Sequence, residues 1–181
     1  MSIAIGDYLR CRARNYFIFL YEVFTVTFEG RVEDLFITEW ASADMVNQAE
    51  VVAVAGRGLM GDRYFYRRGS YSHWPGRGRD VTLIEAEVLA SLSATRAISA
   101  AQARRNILTS GVRLNNLVGH YFQLGAVVLY GVRLCEPCAH LDKLTHPGVM
   151  AALIGRGGLR ADVIEGGVIR VGDVITGISP R

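Results

Sequence analysis

Lysine is almost missing from this sequence: Lys143 is the only one among 181 residues, and arginine supplies the remaining basic side chains. Arginine keeps its charge and presents a planar fork that grips phosphate or carboxylate, so this bias favours an anionic small ligand. The net charge of +3 is small, and the basic residues are scattered along the chain. These features argue against a nucleic-acid-binding protein.

Cysteine is also scarce, and long apolar runs are absent. The three cysteines are an odd number, which does not suggest a disulfide framework and favours a reducing cytoplasm. Residues 16–21 are apolar and follow three arginines, as in a signal peptide, but Glu22 interrupts the run and no small-residue cleavage site follows. The run is also far too short to span a membrane. We therefore expect a cytoplasmic protein without a membrane span, in which residues 1–29 form an N-terminal extension that adds a strand.

Proline is rare, with 4 residues, whereas glycine is abundant, with 20, and half of the residues are apolar. This composition is typical of a globular protein with many tight turns. The length fits one domain, and no repeat or linker divides the chain. Short segments rich in β-branched and aromatic residues predict strands, and helical segments are few. The sequence therefore predicts an α+β domain dominated by a β-barrel, with many short strands and a few peripheral helices.

The predicted elements are separated by glycine turns. Although Gly56, Gly58 and Gly61 match a dinucleotide-binding spacing, no helix opens after them and parallel βαβ repetition is absent, which excludes a Rossmann-type fold. Residues 56–80 instead predict a long loop, which in a compact domain is usually functional. Strands are expected over residues 31–38, 50–55, 81–84, 107–109, 121–124, 126–134, 159–164, 168–171 and 174–178. Helices are expected over residues 85–92, 99–104 and 141–154, the last with a break near Pro147-Gly148.

Two cysteines lie three positions apart in Cys135-Glu136-Pro137-Cys138, between an apolar predicted strand and a predicted helix start. A helix N-terminus favours the thiolate, which is the reactive form of cysteine. The pair is compatible with dithiol redox chemistry, a metal site, or one nucleophilic or sulfur-carrying cysteine. Cys138 is the stronger candidate for function, whereas Cys135 is as readily explained by packing at the end of its strand.

The sequence lacks part of what a zinc site and a redox dithiol require. A zinc site needs four ligands, which Cys135, Cys138, His140 and His146 could supply, but their spacing is not that of a common zinc finger. A thioredoxin-like dithiol needs a parallel βαβ context, and no parallel sheet is predicted. Structural zinc stays open as the less favoured interpretation.

A glycine turn at residues 155–160 is the sharpest candidate for anion binding. Arg156 and Arg160 flank Gly157-Gly158, whose successive backbone N–H groups are able to form an anion-binding nest. For any single arginine the alternative is a solvated turn. The turn therefore favours an anionic ligand only if other basic residues share its cleft.

Two further clusters carry the same residue types. Residues 56–63 repeat the glycine–arginine pattern and end in Asp62-Arg63, where the carboxylate is expected to pair with Arg63 or another loop arginine. Arg104, Arg105 and Asn106 form a polar cluster just before a predicted strand, and Asn106 is interpreted evenly as a recognition or a turn residue. The repetition favours a phosphate or similar anion in a shared cleft.

Taken together and in this order, these segments resemble the MOSC family, domains related to the C-terminal domain of molybdenum-cofactor sulfurases. The resemblance covers residues 30–178, and the joint occurrence of its motifs makes it specific. Residues 1–29 lie outside it. The matching stretches are residues 56–64 (GRGLMGDRY), 81–89 (VTLIEAEVL), 104–119 (RRNILTSGVRLNNLVG), 122–125 (FQLG), 135–141 (CEPCAHL), 155–161 (GRGGLRA) and 166–173 (GGVIRVGD).

The resemblance implies a β-rich barrel and a cysteine that acts as a sulfur carrier or molybdenum ligand, a position that matches Cys138 better than Cys135. It also implies a molybdopterin-type cofactor, with Asp62 and Arg63 at the rim of its site. The family association with pyridoxal phosphate has no counterpart here, because Lys143 is a poor candidate for its Schiff base. A sulfur donor such as a cysteine desulfurase would therefore be a separate protein. The cofactor would be held by Arg105, Asn106, Arg156, Arg160 and the Gly157-Gly158 backbone.

Three functions follow from these residues. The leading hypothesis is a stand-alone MOSC domain in which Cys138 carries a persulfide or ligates molybdenum, while Cys135 tunes or resolves it. The second is molybdenum-dependent reduction of N-hydroxylated compounds, fed by a separate electron donor. The third, from a different class, is a non-catalytic binding module stabilised by zinc.

Overall fold

The computed structural model describes residues 28–178. The expected added strand within residues 1–29 and the first cysteine, Cys11, fall in residues 1–27, outside the described part. Residues 179–181 are also outside it.

Eleven strands and four short α-helices make up the regular structure of the described residues. The strands are β1 (Gly30–Ile37), β2 (Val46–Gln48), β3 (Glu50–Val54), β4 (Gly58–Leu59), β5 (Val81–Glu85), β6 (Ile107–Ser110), β7 (Tyr121–Leu124), β8 (Val127–Leu134), β9 (Leu159–Glu165), β10 (Gly167–Arg170) and β11 (Val174–Gly177). The helices are α1 (Ala86–Ala90), α2 (Ala100–Ala103), α3 (Ala139–Leu144) and α4 (Val149–Leu153), with 3₁₀ turns at Ala94–Arg96 and Leu114–Leu117.

Seven of the strands close into a mixed β-barrel. The order around the barrel is β1-β6-β5-β9-β8-β7-β11, and β11 pairs again with β1 to complete the ring. The β5–β6 pair is parallel and the other pairs are antiparallel. Strand β2 extends the edge of β1, and β10, β3 and β4 form a separate three-stranded sheet. The prediction of a β-barrel with a few peripheral helices is confirmed.

Two apolar clusters hold the fold together. Along β7, β8 and β9 the side chains that fill the barrel interior alternate with more exposed ones, as the two-residue period of a strand requires, whereas β5 is buried on both faces. A second cluster lies under the short helices and contains Ile84, Leu141 and Leu153. Because Leu141 belongs to α3, this cluster fixes the start of α3, where Cys138 lies, against the outer side of β5. The largest fully buried barrel residues include Leu35, Leu83, Ile107, Phe122, Leu124, Leu129 and Leu159.

The predicted elements agree with the structure to within a few residues, with two exceptions. Strands β2 and β4 were not expected, because they are short and their sequences resemble loops. The expected break in the helix after the cysteines is present at Gly148, whose φ of 92° separates α3 from α4. None of the helices in the described residues is long and apolar enough to cross a membrane.

Candidate functional site

A cavity of about 330 Å³ opens between the loop that follows β4, the end of β8 and the start of α3. Cys135 and Cys138 both line it. Its wall is strongly basic, since Glu136 is the one acidic residue among the described side chains that line it. The arginines in the lining are Arg63, Arg79, Arg104, Arg105, Arg133 and Arg160. A cavity lined in this way attracts anions.

Cys138 directly precedes α3 and presents its thiol to the cavity. The Tyr71 hydroxyl donates a hydrogen bond to the Cys138 sulfur at 3.4 Å. Burial is the largest single influence on the pKa of this thiol and raises it. The hydrogen bond from Tyr71 and the backbone N–H groups of His140 and Leu141 lower the pKa of this thiol. Neither N–H donates a helix-capping hydrogen bond to the Cys138 side chain. Together with the charge of Arg105 they outweigh burial, so the pKa of Cys138 is below its ordinary value.

The lowered pKa has a direct chemical consequence. A thiol whose pKa falls below its ordinary value has a larger thiolate fraction at neutral pH, and the thiolate is both nucleophile and metal ligand. The same contact raises the pKa of Tyr71, through its hydrogen bond to Cys138 and the charge of that sulfur. Tyr71 therefore stays protonated and continues to donate.

Replacing Tyr71 with phenylalanine is expected to make Cys138 less reactive at neutral pH. The change removes the hydroxyl that favours the thiolate, so the pKa of Cys138 rises and the thiolate fraction falls. The rate of Cys138 alkylation by iodoacetamide, followed by peptide mass spectrometry against pH, should be severalfold lower at pH 7, with its midpoint moved to higher pH. At a pH well above the ordinary thiol range the two proteins should react alike.

Tyr66→Phe is the matched control for this experiment. Tyr66 lies in the same loop and is exposed, but it does not line the cavity. Its removal should leave the alkylation profile of Cys138 unchanged. An unchanged midpoint in Tyr71→Phe, or a shift to lower pH, would contradict the assigned role of the hydroxyl.

Cys135 occupies a different environment from Cys138. It is 1% exposed, and its backbone is fixed on both sides: its N–H donates to the Gly158 carbonyl at 2.7 Å and its carbonyl accepts from Arg105 at 2.9 Å. Both cysteines are free thiols. The asymmetry makes Cys138 the accessible thiol and Cys135 a residue of the cavity wall.

Arg105 is placed at the cavity, as the sequence predicted, but most of its hydrogen bonding is internal. Its three nitrogens donate to the carbonyls of Gly157, Ala103 and Cys135 at 2.9, 3.0 and 2.9 Å. The residue is 8% exposed. Arg105 therefore ties the end of β8 to the turn before β9, and it acts on a ligand or on Cys138 mainly through its charge.

Asp62 and Asn106 belong to a buried hydrogen-bond network beneath the cavity and do not line it. The Asn106 amide donates to Asp62 at 3.0 Å and to the Phe36 carbonyl at 3.1 Å, and its oxygen accepts twice from Thr82. Asp62 also accepts from Arg63 at 3.3 Å. Since the side-chain atoms of Asn106 are all engaged, the structure favours the structural interpretation over recognition of a ligand.

Arg63 reaches the cavity from this network. Besides Asp62, its guanidinium contacts the Met45 sulfur at 3.1 Å and the Arg104 carbonyl at 3.4 Å, and it is 7% exposed. Burial and the charge of Arg63 lower the pKa of Arg104. The two cations therefore lie close together on one side of the cavity.

Arg79, Arg133 and Arg160 form a second cluster of cations in the cavity wall. None of the three makes a salt bridge with any of the described carboxylates. Burial lowers the pKa of Arg133, and the charges of Arg160 and Arg79 lower it further. Arginine remains charged even when it is partly buried beside other cations. An anion bound between Arg79, Arg133 and Arg160 would therefore relieve their mutual repulsion.

Arg156 is not brought together with Cys138. Its guanidinium donates to the Ala152 carbonyl and to the Ser91 hydroxyl, at 2.8 and 2.9 Å, and it lines a separate groove beside Glu85 and Glu87. The turn around Arg156 thus directs one of its two arginines, Arg160, to the cavity and the other away from it.

Gly157 and Gly158 also do not line the cavity. A Cβ on Gly157 would lie 2.6 Å from the Cys135 carbonyl oxygen, and one on Gly158 would lie 1.9 Å from that of Leu83. These glycines allow β9 to approach its neighbours closely. Their contribution to the site is to position its wall rather than to form a nest that faces the cavity.

The four residues of the zinc hypothesis do not converge. His140 Nε2 lies 3.1 Å from the Ser42 hydroxyl, whereas His146 Nε2 lies 3.2 Å from the Ala97 carbonyl oxygen. Within residues 28–178 no three His, Cys, Asp or Glu side chains form a group able to hold a metal ion. The described residues therefore do not assemble the zinc site that the sequence left open.

Sequence reasoning missed several residues of the cavity. Arg79 and Arg133 were not singled out as ligand-binding residues, although the excess of arginine in the sequence was noted. Tyr71 was also missed, because it stands 67 residues from Cys138 and nothing in the sequence around it indicates the contact.

Comparison with known proteins shows which family and which solved structures this chain resembles. Residues 64–176 match the sequence profile of the MOSC domain. YuaD from Bacillus subtilis superposes with a TM-score of 0.70 at 18% identity, over 86% of this chain and 98% of YuaD. YiiM from Geobacillus stearothermophilus gives 0.64 at 14% identity, over 82% of this chain and 75% of YiiM, and YiiM from Escherichia coli gives 0.58 at 17%, over 86% and 71%. No curated protein sequence matches the chain significantly. At these identities the solved structures share the fold, and the profile match over more than half of the sequence shows that the chain belongs to the MOSC domain family.

Proposed function

We propose that this MOSC domain carries sulfur on Cys138, beside a cavity that binds an anionic cofactor of the molybdopterin type. The family is associated with the molybdenum cofactor. The observation that carries the proposal is the accessible Cys138 thiol, with its lowered pKa, in a cavity lined by arginines. The free thiols of Cys135 and Cys138 are consistent with a reducing compartment, and we place the protein in the cytoplasm.

The residues of the cavity fit such a cofactor in their chemistry. Thiolate is a ligand suited to soft metal centres, and Cys138 supplies it. Phosphate is bound well by guanidinium groups, and Arg79, Arg133 and Arg160 supply three without salt-bridge partners among the described residues. When bound, the molybdenum centre would supply redox chemistry and a site that accepts sulfur. Cys138 would face that centre, and the arginines would hold the anionic part of the cofactor.

Loading of Cys138 is a balanced and redox-neutral exchange. The Cys138 thiolate attacks the outer sulfur of a persulfide on a donor protein. The new S–S bond forms as the S–S bond of the donor breaks, and the donor cysteine leaves as a thiolate. The outer sulfur keeps its proton, so Cys138 becomes a persulfide. The arginines of the cavity favour the anionic groups that take part, and Tyr71 donates to the Cys138 sulfur before the attack.

Radiolabelled sulfur tests this proposal. The full-length protein is incubated with a cysteine desulfurase and ³⁵S-cysteine, and the label is mapped by peptide analysis without reductant. The proposal predicts label on Cys138 that is released by dithiothreitol. Label that is absent, or that resides on Cys135 or Cys11, would overturn it.

Molybdenum-dependent reduction of N-hydroxylated compounds is the second candidate. It uses Cys138 as a metal ligand rather than as a carrier, and the soft thiolate in the basic cavity supports it equally. Protein loaded with cofactor and a chemical electron donor should then reduce hydroxylamine compounds, and it should accept no ³⁵S from the desulfurase. Sulfur loading without reductase activity would decide for the carrier.

A further inference from the structure

A run of arginine and aromatic side chains borders the cavity, and the proposed chemistry does not use it. We call Trp40, Arg57, Phe65, Tyr66 and Arg68 the arginine–aromatic strip. The Arg68 guanidinium lies 4.3 Å from the centroid of the Trp40 ring and 5.0 Å from that of Tyr66. Tyr66 meets Phe65 edge to face at 5.2 Å, and Arg57 lies 4.3 Å from the Phe65 centroid. The five side chains form one continuous series of stacked groups.

The strip is exposed in the described part of the chain. Trp40 is 56% and Tyr66 is 43% exposed, and Arg57 and Arg68 are also exposed. Tryptophan, tyrosine and arginine are the residues that contribute most to protein–protein interfaces. Because stacking already restrains the two arginines, they lose less freedom on binding than isolated surface arginines would.

The strip lies next to the mouth of the cavity. Ser42, Tyr64 and Ser70 line the cavity, and each stands two residues from a member of the strip. The backbone also joins the two regions, because the N–H of Arg68 donates to the Arg63 carbonyl at 2.7 Å. A protein bound on the strip would therefore hold its own reactive group close to the opening that leads to Cys138.

The charge of the strip selects an acidic partner. Arg57 and Arg68 of the strip and the neighbouring Arg67 are exposed, and among the described residues the salt bridge made by these three arginines is that of Arg68 with Glu39, at 4.0 Å. The N-terminal residues 1–27 are not a complementary occupant, because their sequence is itself basic. They contain Arg10, Arg12 and Arg14 against Asp7 and Glu22.

We propose that the arginine–aromatic strip is the docking surface for an acidic face of the protein that delivers sulfur to Cys138. This inference rests on the proposed sulfur-carrier function. It adds to that function the place where the donor binds and the chemistry of the donor surface. A donor that docks on the strip beside the cavity mouth brings its persulfide to Cys138 and leaves the cavity itself open.

The test compares two sulfur donors on the full-length protein. One is a cysteine desulfurase charged with persulfide, and the other is cysteine persulfide, a small molecule that needs no docking surface. In the double variant Arg57→Ala/Arg68→Ala, transfer from the desulfurase should fall about tenfold or more, as for loss of interface hot spots. Transfer from cysteine persulfide should remain at the wild-type rate, which also shows that the variant is folded and Cys138 intact.

Arg31→Ala/Arg170→Ala is the matched control, because it removes the same charge elsewhere. Arg31 lies near the start of β1, whereas Trp40 follows the end of that strand. Arg170 pairs with Glu50 at the start of β3, whereas Arg57 follows its end. Both control arginines are exposed and make a salt bridge, as Arg68 does. The control should resemble wild type with both donors.

The outcomes separate the docking surface from the carrier function. Equal losses in the control variant, or no loss in the strip variant, would overturn the docking surface while leaving Cys138 as the carrier. Binding of a single-stranded oligonucleotide that the strip variant loses would reassign the surface to nucleic acid and overturn it as well. Failure of both donors to load wild-type Cys138 would overturn the proposed function, and the docking surface with it.

Discussion

Cys138→Ser is expected to reduce ³⁵S loading from the desulfurase by at least about 100-fold, because a serine hydroxyl is not ionised at neutral pH and forms no persulfide. The substitution changes one atom and keeps the shape of the side chain at the start of α3. Cys138 is only partly buried, so the fold should be preserved. Peptide analysis of the labelled protein measures the loss directly.

Cys135→Ala is the control for this prediction. Cys135 is buried in the wall and its backbone hydrogen bonds do not involve the thiol, so alanine should preserve them at a small cost in packing. Label per folded molecule should stay near the wild-type level. Equal loss of label in both variants would contradict the assignment of Cys138 as the sole carrier and would favour a cysteine pair that works together.

Gly158→Ala is expected to lower the free energy of unfolding by about 3–5 kcal/mol, since it combines overpacking with an unfavourable backbone conformation. The φ of Gly158 is 103°, in the left-handed region, and its new Cβ would lie 1.9 Å from the Leu83 carbonyl oxygen. Leu83 belongs to β5, which pairs with β9 immediately after this glycine. Only a separation of these two strands relieves the clash. Urea unfolding should therefore show a large decrease in the free energy of unfolding.

The functional consequence of this substitution follows from its position. The Gly158 carbonyl accepts from the Cys135 N–H, so a shift at Gly158 moves the cavity wall. We therefore expect a lower rate of Cys138 loading even in the fraction that remains folded.

Gly155→Ala isolates the contribution of the clash. Gly155 lies in the same turn with a φ of 73°, but a Cβ there would meet nothing within 4 Å. It should cost about 1–2 kcal/mol, the penalty of the left-handed conformation alone. If the two variants unfold at the same urea concentration, the close approach of β9 to β5 is not what requires glycine at position 158.

The barrel was predictable from the sequence because its strands are indicated by short stretches of neighbouring residues. Segments rich in β-branched residues and separated by glycine turns indicate strands, and their joint order resembled the MOSC family. The profile match and the barrel confirm both statements. Strand β4, at Gly58–Leu59, was hidden inside a glycine-rich segment that was interpreted as loop. Such a strand exists because of its partner, β3, and not because of its own sequence.

The candidate site was predictable only in part, because its contacts join distant segments. The position of Cys138 at a helix start was expected, and the structure places it there. Arg156 and Arg160 looked equivalent in sequence, but the turn directs them to different sides of the chain. Arg133 lies in a predicted strand, yet its contribution depends on Arg79 and Arg160 being close in space. No spacing in the sequence carries that information.

The occupancy of Cys138 in the cell tests the central claim most directly. The native protein is isolated without reductant, its thiols and persulfides are alkylated at once, and the peptide that contains Cys135 and Cys138 is analysed by tandem mass spectrometry. The account predicts one additional sulfur atom on Cys138 in a measurable fraction of the molecules, and none on Cys135. A Cys138 thiol that never carries sulfur while the cell is supplied with cysteine, or a persulfide found on Cys135 instead, would contradict it.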